Sequence, residues 1–237
     1  TTINELLARL EQLFTAQRRF VADVSHELRT PLTAMRGHLE LIQRGVTRDG
    51  AAQAESVADM LREVSRLGRM ANDLLLLAQA EVGLTLRRGP VQLDELVLEV
   101  VRELRPLADG VALRPELREQ VAVVGDRDRL KQALLNLVAN GLQYTPPGGS
   151  VTVSLGRDGP LVALRVCDTG PGIAPEELPR VFERFYRGDR ARHGGGAGLG
   201  LAIVQWVAEA HGGSVAVTSA PGQGTAFTLT LPAGPAA

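Results

Sequence analysis

The sequence predicts a multidomain protein of mixed class: an N-terminal antiparallel helical hairpin, then an α/β domain. Apolar residues recur at three- and four-residue intervals over roughly the first eighty positions, the period of amphipathic helices. A stretch punctuated by glycine and proline, Glu81 to Pro90, ends that pattern. Beyond it, short runs of alternating apolar residues take turns with helical patterns, as in a sheet covered by helices.

The first helix reads from about Ile3 to Arg44, with Leu6, Leu10, Leu13, Phe14, Phe20, Val21, Val24, Leu28, Met35, Leu39 and Ile42 on its apolar stripe and Pro31 as its one internal breaker. A turn is expected over Gly45 to Gly50. The second helix covers Ala52 to about Ala80, carrying Val57, Met60, Leu61, Val64, Leu67, Met70 and Leu74 to Leu77. Two helices of this length cannot bury both stripes against each other, so the hairpin is expected to dimerise into a four-helix bundle. After the linker, Asp94 is placed to N-cap a helix reaching about Ala108, and short strands are expected at Ala112–Arg114 and Val121–Val124. Asp126 caps the next helix, to about Gln143. Ser150–Gly156 and Leu161–Cys167 form a hairpin around Arg157–Pro160. A loop-rich region from Asp168 to Ala197 leads to a helix over Leu199–Ala210, ended by Gly212 and Gly213. A last hairpin, Ser214–Ser219 and Thr225–Leu231, turns at Pro221 to Gly224.

Composition narrows the class of function. The 237 residues allow one or two domains, and 44% hydrophobic with 22% charged residues describes folded rather than disordered chain. A net charge of −1 argues against bulk electrostatic binding to nucleic acid or to an anionic membrane, and 3% aromatics provide no base-stacking platform. Lys131 is the only lysine among many arginines. The single cysteine, Cys167, excludes an intramolecular disulfide and a cysteine-based zinc site; its apolar surroundings suit an inert buried thiol in a reducing compartment. The sequence has no signal-peptide pattern and no apolar run of the roughly eighteen residues that a membrane helix needs. It opens without methionine and inside a helical pattern, so it reads as a piece whose upstream part is missing.

Four segments carry chemistry. The first is Ser25-His26-Glu27-Leu28-Arg29-Thr30-Pro31. Val24 and Leu28 each lie two residues from His26, about 200° round a helix, so a core-facing pair puts His26 in water. A neutral imidazole beside a carboxylate can attack a phosphoryl group. The second is Asn136-Leu137-Val138-Ala139-Asn140, with Gln143 and Tyr144 following. Two amides at i and i+4 share a helix face, suited either to interhelical hydrogen bonds or to a magnesium ion carrying phosphate oxygens and water. The third, Asp168-Thr169-Gly170-Pro171-Gly172-Ile173, follows an apolar strand and reads either as a tight turn or as a carboxylate that accepts from an adenine amine. The fourth, Gly194 to Leu201, lets backbone N–H groups approach oxyanions at a helix N-terminus or serves as a flexible loop. It is neither a P-loop nor a dinucleotide-binding turn. Between the last two lie Phe182-Glu183-Arg184-Phe185-Tyr186-Arg187, apolar anchors interleaved with arginine. His38, His193 and His211 match no motif and read as surface or helix-end residues.

In this order the segments resemble the transmitter region of bacterial two-component sensor histidine kinases, over essentially the whole chain. Ser25 to Pro31 is similar to the family's H-box, Asn136 to Thr145 to its N-box, and Asp168 to Ile173 to its first glycine box. Phe182 to Tyr186 resembles the F-box, Gly196 to Leu201 the second glycine box, and Gly222-x-Gly224-Thr225-x-Phe227 the closing glycine motif. The resemblance implies a dimeric phosphotransfer hairpin and a two-layer α/β sandwich of the Bergerat type that binds ATP. The expected layout is a connector helix from an upstream sensor over 1–17, the hairpin over 18–82, a linker over 83–90 and the catalytic domain over 91–237.

By the same resemblance, His26 accepts the phosphoryl group, Glu27 orients its imidazole and takes its proton, and Thr30 is placed to position water for dephosphorylation of a partner. Asn140 binds Mg2+, with Asn136 in support. ATP is held by Asn136, Asn140, Gln143, Tyr144, Asp168, Gly170, Gly172, Ile173, Tyr186, Arg187, Gly196, Gly198, Leu199 and Gly200. Asp168 reads the adenine amine, and Arg187 faces the phosphates. The implied partners are a second copy of the chain and a response-regulator receiver domain, at the cytoplasmic face of a membrane-anchored parent. One position departs from the family: Gln143 stands where the N-box usually carries a lysine or arginine, so triphosphate charge must rest more on magnesium and Arg187.

Overall fold

The computed structural model describes residues 2–44, 50–81, 85–188 and 196–234. The chain divides into two units, Thr1–Asn72 and Asp73–Ala237. Most of the turn expected at Gly45 to Gly50, together with His193, Gly194 and Gly195, lies outside the described residues.

The first unit is built from α1 (Thr2–Gln43) and most of α2 (Gly50–Glu81). The apolar stripes set both helices within a residue or two of the expected limits. Pro31 sits inside α1, and the helix is continuous through it. Pro31 has no N–H for the Glu27 carbonyl, but a single lost bond does not end a helix that side-chain packing holds on both sides. Several aliphatics stay in water along these helices, among them Leu32, Leu39, Leu61 and Val64.

The second unit stacks three helices on a five-stranded sheet. The sheet order is β2 (Ala112–Leu117), β4 (Ser150–Asp158), β5 (Leu161–Asp168), β7 (Thr225–Pro232) and β6 (Ser214–Ser219). β2 runs parallel to β4, and every other pair is antiparallel. The covering helices are α3 (Leu93–Leu104), α4 (Arg127–Tyr144) and α5 (Gly200–Ala210). Alternation places Val151, Val153, Leu155 and Phe227, Leu229, Leu231 on the covered face, where Leu134 and Leu137 of α4 and Ile203 and Val207 of α5 meet them. Truncating one such leucine to alanine costs about 2–5 kcal/mol, so these contacts, rather than the loops, fix where α4 lies on the sheet. Lys131 ties α4 to α3 through Glu99 at 2.8 Å and Glu103 at 2.9 Å.

Three details differ from expectation. A short strand, β1 (Gly89–Gln92), pairs antiparallel with β3 (Ala122–Gly125), across the edge of the expected linker. Asp94 does not cap α3: Gln92 holds the cap position without a side-chain bond, and Asp94 Oδ1 accepts from the Val121 N–H at 3.4 Å. Pairing of β1 starts the helix earlier than its capping residue implied. That helix also ends at Leu104, and a 3-10 turn over Arg105–Leu107 takes up Pro106, whose missing N–H bars α-helical continuation. Asp126 does cap α4, accepting from the Arg129 N–H at 3.3 Å.

Candidate functional site

On the hairpin, His26 is exposed while Val24 and Leu28 are half-buried, the division of faces that their spacing required. The Thr30 hydroxyl, one turn on, lies 3.5 Å from the His26 carbonyl, and Ser25 donates to the Val21 carbonyl at 2.8 Å. Both are back-bonds of the kind that hold short hydroxyls against a helix surface. Glu27 is half-buried, and its Oε2 faces Nη2 of Arg66 on α2 at 3.5 Å. The other guanidinium nitrogen, Nη1, lies 3.6 Å from Glu63.

In the second unit, Asp168 ends β5. Its Oδ1 accepts from the N–H of Gly170 at 2.8 Å and from that of Thr225 at 3.2 Å. Burial pushes its carboxyl above the ordinary value, against the pull of these two bonds. Among the described residues Oδ2 has no hydrogen-bond partner, which leaves one acceptor oxygen for a ligand. Gly172 has φ +71° and packs so closely on Ala220 that a Cβ would overlap its carbonyl oxygen. The Gly222 N–H donates to the Pro171 carbonyl at 2.8 Å. Ile173 N–H donates to Ser219 Oγ at 2.9 Å, whose hydroxyl donates to the Gly224 carbonyl at 2.7 Å. The closing glycine motif therefore forms the wall against which the first glycine box is built.

Helix α4 presents its two asparagines differently. Asn136 Nδ2 donates to the Gly200 carbonyl at 3.1 Å, tying α4 to the start of α5. Asn140, half-buried one turn later, makes no side-chain hydrogen bond to the described residues. Gln143 is exposed and Tyr144 half-buried. Burial pushes the Tyr144 phenol up, and the positive charge of Arg187 acts against that shift.

The segment after β5 is pinned at several points. Phe182 meets Phe227 edge-on at 6.2 Å between ring centres. The Arg180 guanidinium stands 4.5 Å over the Tyr186 ring, and the Tyr186 hydroxyl lies 3.4 Å from Glu177 Oε1. The Phe185 N–H donates to the Gly198 carbonyl at 2.9 Å. Leu199 is buried just ahead of α5, and Gly196 is exposed.

The structure thus joins Asp168, Gly170, Gly172 and Ile173 to the closing motif, and Asn136 to Gly200. It leaves the Gln143 side chain exposed and without a hydrogen bond among the described residues, and Gly196 exposed. Ser219, Thr225 and Arg66 support the site residues without having been singled out as such. The register of the β6–β7 turn could have shown Ser219 opposite Thr225, which it pairs; nothing local marks Arg66. No group of three or more His, Cys, Asp or Glu side chains that could hold a metal occurs among the described residues. The Asn140 amide, without a side-chain hydrogen bond among the described residues, is a neutral oxygen donor of the kind that suits magnesium carrying phosphate oxygens and water. His211 is at a helix end as expected, yet only 6% exposed. Cys167 is half-buried and free.

An exposed histidine on a helical hairpin, carried in one chain with a half-buried carboxylate among glycines, has the make-up of a phosphotransfer protein with its own ATP-binding domain. Two family descriptions match accordingly: the His Kinase A (phospho-acceptor) domain over residues 16–83, and the histidine kinase-, DNA gyrase B-, and HSP90-like ATPase over residues 125–235. The chain is 42% identical over 236 residues to the signal transduction histidine-protein kinase BaeS of Escherichia coli K12, covering 97% of this chain and 50% of that protein. It is 44% identical over 221 residues to the probable sensor histidine kinase TcrY of Mycobacterium tuberculosis, covering 92% of this chain and 46% of that protein. Among solved structures, full-length ShkA in complex with AMPPNP superposes with a TM-score of 0.70 at 33% identity, over 91% of this chain and 46% of that one. The chain belongs to the bacterial two-component sensor histidine kinases, of which it carries the transmitter region. It spans about half the length of the curated relatives it matches. No helix among the described residues is long and apolar enough to cross a membrane.

Proposed function

We propose that this chain binds Mg-ATP, transfers the γ-phosphoryl group to His26, and passes it on to an aspartate of a response-regulator receiver domain. The observation that carries this reading is the exposed His26 beside a part-buried Glu27, in a chain whose second unit leaves an oxygen of Asp168 open to an adenine amine. A ring nitrogen of neutral His26 attacks the γ-phosphorus; the N–P bond forms as the bond to the ADP oxygen breaks, and the proton on the other ring nitrogen passes to Glu27. Asp168 orients the base from the wall formed by Gly170, Gly172 and Ile173. Tyr144, Arg187 and the Gly196–Gly200 segment line the path toward the phosphates. Magnesium, held through Asn140, would supply charge neutralisation at the phosphate oxygens, which matters more here because Gln143 carries no charge.

The working form is a homodimer through the hairpin, supported by aliphatics such as Leu39, Leu61 and Val64 that a lone hairpin leaves in water. The domain plan is the connector over 1–17, hairpin over 18–82, linker over 83–90 and catalytic domain over 91–237. The parent protein is membrane-anchored, with this region facing the cytoplasm and making no membrane contact of its own. Incubation with γ-labelled ATP and magnesium tests the reading. Acid-labile, base-stable label on the wild type, absent from His26→Gln, is the expected result; equal labelling of the two overturns the assignment. A response-regulator phosphatase activity is a second reading, favoured by Thr30, which is exposed one turn from His26 on the same helix. Thr30→Ala should then keep autophosphorylation while slowing release of phosphate from the regulator.

A further inference from the structure

We propose that Arg66 is a positioning residue for Glu27, holding its carboxylate where it can serve the His26 imidazole. This rests on the reading of Glu27 as the group that orients the imidazole and takes its proton.

Adjacent residues on a helix point about 100° apart, so His26 and Glu27 cannot share a face. His26 stands in water, whereas Glu27 is half-buried on the flank of α1 that meets α2. A glutamate has three side-chain torsions, and a general base must come within about 2.6–3.2 Å of its proton or reach it through one water. The polar partner of the Glu27 carboxylate among the described residues is Arg66, 39 residues away in sequence, with Nη2 3.5 Å from Oε2. Among the described residues Glu27 has no other ion pair or side-chain hydrogen bond. Only Oε2 is engaged, so Oε1 remains open to the imidazole.

Arg66 is itself held. Its Nη1 lies 3.6 Å from Glu63 one turn earlier on α2, and the guanidinium bridges the two carboxylates as a planar fork. The side chains of Arg66 and Glu27 are 19% and 21% exposed. At that depth an apolar pair of similar volume would stabilise a helix seam as well or better, so stability alone does not account for charges there. Positioning does: the fork pins Oε2 without consuming the oxygen that the reaction needs. Arg66 exchanges no proton and makes no covalent bond; it restricts the place from which Glu27 acts.

The test is a double-mutant cycle on single-turnover autophosphorylation, using the chain with Mg-ATP and the variants Arg66→Met, Glu27→Gln and both together. Arg66→Met should slow labelling about tenfold at saturating ATP while leaving the KM for ATP unchanged. In the Glu27→Gln background the same change should have no further effect. Equal slowing by Arg66→Met in both backgrounds overturns the proposal, because Arg66 would then act independently of Glu27. Arg66→Lys guards against a misfolded methionine variant: it keeps the charge and stem but cannot bridge both carboxylates, so it should fold with wild-type helicity and label more slowly than wild type. A lysine variant that labels at the wild-type rate also overturns the proposal. Failure of the underlying reading looks different: Glu27→Gln alone would then label at the wild-type rate, or no label would reach His26 in any variant, and the proposal falls with it.

Discussion

The imidazole of His211 accepts the backbone N–H of Asp126 at 2.9 Å through Nε2, while its Nδ1 lies 2.7 Å from the Val207 carbonyl. The two contacts define one tautomer, neutral with the proton on Nδ1, and they lock the end of α5 to the cap of α4. Asp126 in turn accepts the N–H of Arg87 at 3.0 Å, so the lock extends to the chain leading into β1.

That lock makes stability depend on pH. Burial holds the His211 imidazole below its ordinary value of 6.5, helped by the nearby charge of Arg88 and opposed by Val207 and Asp126. Protonation in the folded state removes the Nε2 lone pair that accepts from Asp126. A depressed folded value contributes stability that is complete above 6.5 and is lost as pH falls through the folded value. The melting temperature of the catalytic unit should therefore drop as pH falls below 6.5. His211→Gln should start lower and show a shallower drop. Equal slopes for the two proteins would show that other groups govern the acid limb.

Asp168 should show the opposite trade. Its carboxyl is held above the ordinary 3.8 by burial, so the folded state binds its proton more tightly than the unfolded chain does. The sign then reverses: this group favours folding at low pH and loses that contribution as pH rises from 3.8 through the folded value. Asp168→Asn removes the ionisation while its amide oxygen still accepts from Gly170 and Thr225. Its melting temperature at neutral pH should equal or exceed that of the wild type. Nucleotide binding should weaken all the same, because the amide nitrogen turned toward the ligand is a donor facing the donor amine of adenine. A loss of about 1.5–3 kcal/mol, roughly ten- to a hundredfold in Kd, is expected by calorimetry with a non-hydrolysable ATP analogue.

How far the sequence could be read depended on the distance over which each structural decision is made. Helices α1 and α2 and the β6–β7 hairpin follow from local periodicity, which is why their limits lie close to expectation. β1 escaped because Gly89-Pro90 reads as a turn, and only its pairing with β3 more than thirty residues later makes it a strand. Asp94 was misplaced for the same reason: its oxygen serves Val121, 27 residues away. Site residues were recognisable by type and spacing, but not by engagement. Asn136 bonds Gly200 across 64 residues, and Thr225 bonds Asp168 across 57. Spacing alone made the two N-box asparagines look equivalent; the fold separates them.

Two glycines in the closing turn give a paired prediction for backbone strain. Gly222 and Gly224 share φ +77°, so an L side chain at either is strained by about 1–2 kcal/mol. At Gly222 a Cβ would meet open space, whereas at Gly224 it would overlap the Asp168 carbonyl oxygen. Gly222→Ala should lose only the strain energy and keep ATP affinity. Gly224→Ala must also push β7 away from β5 at Asp168, so it should lose clearly more stability in urea unfolding and weaken ATP binding. Similar losses at both positions would mean that the turn relaxes without disturbing Asp168.

The two asparagines of α4 should fail in different ways. Asn136 gives its amide to the Gly200 carbonyl, so Asn136→Ala removes that bond and loosens the junction of α4 with α5. About 1 kcal/mol of stability should go, together with some nucleotide affinity, whatever the magnesium concentration. Asn140 has no such duty among the described residues. Asn140→Ala should therefore melt like the wild type, yet need several times more magnesium to reach half-maximal ATP binding. Measuring ATP affinity against magnesium for both variants separates a structural amide from a metal-binding one. A shift in magnesium dependence for Asn136→Ala with none for Asn140→Ala would reverse the assignment.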